Sequence, residues 1–476
     1  MNKHNIWLHL GVATIIIAIA GLAGQIARWQ GDSEETFAPR EIIVETPVAL
    51  ERSLAESRPE VLVKFRPDVT PEDIKRLAEG NNDRIEDEIE IVQNLYAIDD
   101  LDNLTAEAVA KQYSELSDLV VYAEPNFEIS LGDPVNASPA REPLRKARDS
   151  SKKAPNDPMF GEQWALSNDG QNGGKAKADI DALKAWLKTQ GSEDIVVAVL
   201  DSGVDYGHKD LVNNIWFRPA DIEAYTDDEL GTIDDKNGYN ADANSGDPMD
   251  DNGHGTHCAG IIGAEGNNKE GITGVNWKVE IMPLKFMGRG GFGTTKNAIE
   301  AINYAVDRKK AGVNVRVINA SWGSTMYSKA LEDAIRAAGE QGILFVAAAG
   351  NNSSNNDKRP HYPSNYDLPN VISVAALDRG DGLASFSNFG VKTVHIAAPG
   401  KDILSTWLNN QYREASGTSM ATPQVAGVAA LIVANEPKIK VQDLRKRLLK
   451  SVDSLDVLNG KVENAGRLNA SKALGD

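Results

Sequence analysis

Over the last two thirds of the chain, short uninterrupted apolar runs alternate with amphipathic stretches. The runs DIVVAVLD, EIMPLKFM, VRVINAS, ILFVAAAGN and VISVAAL lack polar alternation, the pattern of strands buried on both faces. Between them, TTKNAIEAINYAVDRKK and SKALEDAIRAAGEQ carry apolar residues at helical spacing. Strand and helix in turn predict an α/β fold, a doubly wound and mainly parallel sheet spanning residues 157–476. Its site should lie just beyond the carboxyl ends of the strands.

Upstream the pattern differs. EVLVKFRPDV reads as a strand, PEDIKRLAEG as a helix, IVQNLYAIDD as a strand, TAEAVAKQYSEL as a helix and VVYAEPNFEISL as a strand. This interleaving over residues 59–131 predicts a small α+β, ferredoxin-like sandwich. Residues 132–156, GDPVNASPAREPLRKARDSSKKAP and the residue that follows, have no apolar period and predict an exposed, protease-sensitive linker. A second polar linker covers 28–58. From Lys3 to Arg28 no charged residue intervenes, and IIIAIAGLAG is a compact apolar run ending in small residues. Residues 1–27 therefore read as a signal peptide or a signal anchor, and either places the rest outside the cytoplasm: secreted, or anchored to the membrane and facing outward.

Composition narrows the partners. The 476 residues carry a net charge of −19, which argues against nucleic acid and against an anionic membrane surface. One cysteine permits no internal disulfide.

Three strands deliver polar groups to one edge: VVAVLD ends in Asp201, VRVINAS runs into Asn319 and Ser321, and LFVAAAGN ends in Asn351. Turn chemistry alone favours Asp and Asn at such places. Two further stretches open helices with small residues. NGHGTHCAGIIGA contains His254, His257 and Cys258, and GTSMATPQVAGVAAL contains Ser419, with Pro423 in or near the first helical turn. Ser419 could be a helix cap or a nucleophile gaining from the helix amides. A metal at His254 and His257 is disfavoured, because zinc needs a third ligand and Cys258 adjoins His257 without sharing its face. His395, inside an apolar run, reads as a core position.

Together, VAVLDSGVD, NGHGTHCAGIIGA, VAAAGN and GTSMATPQVAGVAAL resemble, in order, the motifs of the subtilase (subtilisin-like, peptidase S8) family of serine proteases, nearest to its thermitase and proteinase K-like members. The resemblance implies a serine endopeptidase acting on proteins and peptides. Ser419 would be the nucleophile, His254 the general base and acid, Asp201 its partner and Asn351 an oxyanion donor. It implies substrate-binding walls at Gly291, Phe292 and Gly293 on one side, Ser321, Trp322 and Gly323 on the other, with Ala348, Ala349 and Gly350 at the first specificity pocket. His361 falls where relatives often carry glycine; it could narrow that pocket or merely lie in the loop.

The same resemblance implies structural calcium, held by the side chains of Asp157, Asp210 and Asn268 and the backbone oxygens of Glu265, Glu270 and Ile272. The acidic stretch 226–252 is either a second calcium site or a solvated loop. Residues 59–131 are similar to propeptides that chaperone folding and inhibit until cut. A monomer with its own propeptide as partner is implied. A catalytically silent peptide-binding relative is the alternative, although all four catalytic residue types are present.

Overall fold

The computed structural model describes residues 60–131, 138–139, 154–227 and 230–476. The expected leader (1–27) and first linker (28–58) lie outside the described residues. Six elements open the chain: β1 (Glu60–Phe65), α1 (Pro71–Gly80), β2 (Asp83–Glu88), β3 (Leu95–Asp100), α2 (Ala106–Ser114) and β4 (Val120–Pro125). The sheet has the order β2-β3-β1-β4, antiparallel throughout. Thr70 and Thr105 start the helices by accepting the amides of Asp73 and Ala108. Two expectations shift here. IVQNLYAIDD enters its strand only at Leu95, and DRIEDE, which shows no apolar alternation, forms β2.

Short strands β5 (Glu128–Ser130) and β6 (Ser138–Pro139) follow. The expected featureless linker thus contains a strand: β6 pairs with Arg413 and Glu414. The larger region comprises α3 (Ala182–Ala185), β7 (Gly191–Asp201), β8 (Thr226–Asp227), β9 (Gly231–Thr232), β10 (Tyr239–Asn240), α4 (His254–Gly263), β11 (Lys278–Lys285), β12 (Phe292–Thr294), α5 (Thr295–Lys310) and β13 (Val315–Ala320). It continues with α6 (Lys329–Glu340), β14 (Leu344–Ala348), β15 (Val371–Leu377), β16 (Ile396–Pro399), β17 (Ile403–Trp407), β18 (Gln411–Ala415), α7 (Thr418–Asn435), α8 (Val441–Lys450), β19 (Val452–Ser454), β20 (Gly466–Leu468) and α9 (Ala470–Ala473).

The central sheet runs β10-β11-β7-β13-β14-β15-β16-β20-β19. All neighbours pair in parallel except β19, which closes the edge antiparallel to β20. The unbroken apolar runs are explained by β7: Val197 and Val199 face the core of α4 and α7, whereas Val196, Ala198 and Leu200 face α5 and α6. Both faces are covered, so no polar alternation is tolerated.

The small antiparallel sheet is also covered on both sides. Val61, Val63 and Phe65 pack on its own helices beside Ile74, Val109 and Tyr113. Leu62, Leu95 and Ala97 point the other way, into the core that contains α5 and α6. Each large apolar side chain buried there contributes about 1.5–3 kcal/mol.

Candidate active site

Strand β7 ends in Asp201, whose carboxylate is wholly buried. His254 Nδ1 lies 2.8 and 3.0 Å from its two oxygens, and the Ser202 amide donates to Oδ1 at 2.8 Å. Burial alone would lower the His254 pKa, but the Asp201 carboxylate overrides it and leaves it raised. Asp250 fixes where α4 begins. It accepts the amides of Asn252, Gly253 and Thr256 and the Thr256 hydroxyl. A side chain at Gly255 would meet the Gly203 carbonyl at 2.0 Å, so glycine lets the helix approach the end of β7.

Ser419 is the second residue of α7, where amides lack helical acceptors. Its hydroxyl donates to the Ser321 carbonyl at 2.9 Å, and the Ser321 hydroxyl donates to the Ser419 carbonyl at 2.9 Å. Pro423 is the sixth helical residue, just past the first turn. Having no N–H, it leaves the Ser419 carbonyl without its i+4 donor. The Ser321 hydroxyl and the Cys258 thiol, at 3.5 Å, take that carbonyl instead.

Asn351 follows β14. Its Oδ1 accepts both the amide and the hydroxyl of Thr418 at 2.9 Å. That assigns the opposite end of the amide, Nδ2, to the space beside Gly417, where a Cβ would lie 3.4 Å from it. Thr418 and Asp250 are positioning residues that motif reasoning missed; the only signal was a hydrogen-bonding side chain at each helix start.

The cleft beside these groups holds the chain's own strand. β5 pairs antiparallel with β12, Ile129 opposite Gly293 and Ser130 opposite Phe292. The Leu131 amide donates to the Gly291 carbonyl at 2.9 Å, and Ser130 bridges Gly323 on the far wall. A cavity of about 560 Å³ continues from Leu131 past His254, Gly323 and His361. Gly291, Phe292, Gly293 and Gly323 thus sit along one extended segment. Trp322 instead turns into the core and donates to the Leu200 carbonyl. Ala349 packs away from the cleft, beside Ala375 and Leu377, because successive residues of an extended segment face opposite ways.

A family model described as Subtilase family matches residues 192–475. The chain belongs to the subtilase family. It is 33% identical over 423 residues to a thermophilic serine proteinase of Bacillus sp. (strain AK1), covering 87% of each chain. It is 36% identical over 306 residues to the cell wall-associated protease of Bacillus subtilis (strain 168), covering 64% of this chain and 31% of that protein. Among solved structures, the keratinolytic enzyme fervidolysin from Fervidobacterium pennivorans shares the fold, with a TM-score of 0.66 and 24% identity over 88% of this chain and 61% of its own. A protease from Pseudoalteromonas arctica matches with a TM-score of 0.54 and 28% identity over 67% of this chain and 98% of its own. The protein is a serine endopeptidase of the subtilisin-like α/β fold.

The other titratable groups of this subtilase sort by partner. Asp201, His254 and Cys258 bring one ligand atom each within 4.8 Å of one another. Cys258 therefore lies on the His254 face, four residues and one turn on, and does not share the face of the adjoining His257. Burial raises the thiol pKa well above its ordinary value, so a protonated thiol facing a carbonyl is the state present. His257 Nε2 meets the Arg413 carbonyl at 3.0 Å, and burial pushes its pKa down to about 3. His395 Nδ1 accepts the Ser373 amide, and the ring is partly buried, with Nε2 3.9 Å from Glu463, not fully in the core as its apolar run suggested.

Asp157 and Asp210 are buried together. Asp157 accepts the amides of Asn267 and Asn268, and Asp210 accepts the Ile272 amide and the Asn268 side-chain amide. Burial raises both to about 6. The Glu265 amide donates to the Asp210 carbonyl, and the Glu270 carboxylate meets Lys209 at 2.8 Å. Two buried carboxylates against one loop supply hard oxygen donors of the kind calcium takes, while Asn268 turns its amide nitrogen to Asp210 and its oxygen to the Glu270 amide. In the 226–252 stretch, Asp235 is spent on Arg218, Arg308 and Tyr304, and Asp250 on α4.

Proposed function

We propose that this subtilase is an exported, calcium-stabilised endopeptidase made as a precursor. In this reading, residues 59–131 fold against the catalytic region, cover its cleft and are cut away by the enzyme itself. The pairing of β5 with β12 carries the reading. An extended strand laid antiparallel along a cleft wall and ending beside the His254 cavity is how a protease holds the acyl side of a peptide. The chain is next paired at β6, against the hairpin leading into Ser419.

Ser419 Oγ attacks the substrate carbonyl as His254 Nε2 takes its proton, and Asp201 holds the resulting imidazolium. The Ser419 amide and Asn351 Nδ2 receive the oxyanion. The amine then leaves with that proton; water, deprotonated by the same nitrogen, cleaves the acyl-enzyme and restores the serine. For this the Ser419 hydroxyl must turn from the Ser321 carbonyl toward His254. Asp157, Asp210 and Asn268, with the carbonyls of Glu265, Glu270 and Ile272, would hold calcium, which pins the 265–272 loop.

Expression of the full chain with Ser419→Ala tests this. The variant should remain at full length and leave casein intact, while the native chain splits in two. Processing by the variant overturns the mechanism. A native chain that neither splits nor hydrolyses casein is the silent peptide-binding relative instead.

A further inference from the structure

We infer that Lys285 is a positioning residue of the hydrolysis: its ammonium ties the wall that carries β12 to the Asp201–His254 pair, so that a peptide laid along that wall speeds turnover and does not only bind. The inference rests on the reading of β12 as the strand that takes the acyl side of the peptide, and adds the residue through which its occupancy reaches the reacting groups.

Lys285 is the last residue of β11 and stands opposite Asp201 in the parallel ladder with β7. The next amide, that of Phe286, donates to the Asp201 carbonyl at 3.0 Å. The Lys285 side chain is only 6% exposed, a costly place for a charge unless every donor is paired. An ammonium has three N–H groups, and Nζ gives one to each of three oxygens: the Ser202 carbonyl at 2.8 Å, the Asp251 carboxylate at 2.7 Å and the Met287 carbonyl at 2.9 Å. No donor is left over for a ligand.

The three acceptors belong to the three segments on which the reaction depends. Ser202 follows Asp201, and its hydroxyl donates to Asp250 and accepts the Gly255 amide of α4. Asp251 lies in the turn that leads into His254. Met287 bridges Gly293 of β12, and the Gly288 amide beside it donates to the Phe292 carbonyl at 2.9 Å. In this chain the same Gly293 lies opposite Ile129 of β5. Asn252 adds a second tie between turn and wall: its side-chain nitrogen donates to the Arg289 carbonyl at 3.0 Å, and its oxygen accepts the His254 amide at 3.2 Å.

A peptide on β12 thus bears on Met287, and through Lys285 on the residues flanking Asp201 and His254. An apolar side chain could fill the space of Lys285, but it would take a donor from the Ser202 and Met287 carbonyls and free the wall to shift against α4. Misplacement of a reacting group by about 1 Å costs on the order of 10²-fold. Pairing energy at β12 raises turnover only where it is spent on placement.

The test uses the active native enzyme and two 4-nitroanilides that share one acyl residue: a blocked tetrapeptide, long enough to pair with β12, and the blocked single residue. The ratio of their kcat/KM values should favour the tetrapeptide in the native enzyme. Lys285→Met should lower that ratio by about tenfold, with the loss in kcat for the tetrapeptide and KM nearly unchanged. Where Lys285→Met yields no folded enzyme, Asp251→Ala decides. It removes one tie at a half-exposed side chain and should lower the same ratio by about threefold, again in kcat. A ratio equal to the native one, even where both rates fall together, makes Lys285 a structural residue only and overturns the inference. A loss that lies in KM alone overturns it too. A native enzyme that gains nothing from the longer peptide is a different result, and overturns the reading of β12 beneath it.

Discussion

The Cys258 thiol faces the carbonyl oxygen of Ser419 at 3.5 Å, in a place where Pro423 has removed the ordinary helical donor. The sole cysteine of the chain thus touches the backbone of the residue at the head of α7. A neutral hydrogen bond of this kind is worth about 1 kcal/mol. Cys258→Ala should therefore lower kcat by roughly fivefold or less with KM little changed. A mercurial that reaches the thiol should inhibit, since it displaces the carbonyl and crowds His254. Full activity with Cys258 shown by mass to be modified would retire this role.

Thr418 orients Asn351 through two hydrogen bonds to Oδ1. Asn351→Ala should reduce kcat by about 10²- to 10³-fold, the range found for one oxyanion donor in subtilisin. Thr418→Val keeps the amide contact and loses the hydroxyl, so its loss of kcat should be smaller, roughly tenfold. Steady-state kinetics on one peptide compares the two. Equal effects would mean that Thr418 acts elsewhere.

Asp157 and Asp210 are buried against one loop, and the Asp210 charge adds to the burial that raises the Asp157 pKa. Removal of calcium with a chelator should lower the thermal midpoint by several degrees, and Asp210→Asn should lower it in buffer containing calcium. An unchanged midpoint in chelator would remove calcium from the 265–272 loop.

At the seam between the small sheet and α5, Glu60 lies 3.7 Å from Lys296, which also meets Glu86 and Asp87. Burial, with Glu86 beside it, raises the Glu60 pKa from 4.5 to about 8. A carboxyl whose pKa is raised on docking stabilises the docked state fully below its free pKa, and that contribution is lost as pH rises through the docked one. Activity of the freshly processed enzyme should thus emerge faster at pH 9 than at pH 7, and Glu60→Gln should flatten the dependence. A native profile flat across that window would place the control elsewhere.

The sequence revealed the parts of the fold that have a period. The runs ending at Asp201 and Ala348 read as buried strands because both faces are apolar. DRIEDE did not, since its acids are satisfied by groups far along the chain: Asp83 accepts the Tyr113 hydroxyl and Asp87 meets Lys296. VVYAEPNFEISL read as one strand but breaks at Asn126 and Phe127, whose oxygens accept the amides of Lys296 and Thr295 at the start of α5. Glu124 does the same for α6 through Lys329 and Ala330. Such caps cross between segments, and only the folded chain shows them. The motifs around Asp201, His254 and Ser419 were legible because each is local; His361 was ambiguous because its surroundings include Gly323 and Gly350, brought to it by other segments.

On the proposed self-processing, the apolar face formed by Leu62, Leu95 and Ala97 would give maturation a second stage. Cutting the linker would end the tether, not the cover. Before the cut, the small domain would sit at an effective concentration set by its own chain; afterwards it would be held by mass action alone. A protease built this way would be silent where it is crowded and active where it is dilute, with dilution itself as the trigger. The lag before full activity, measured over a series of enzyme concentrations, should shorten as the sample is thinned.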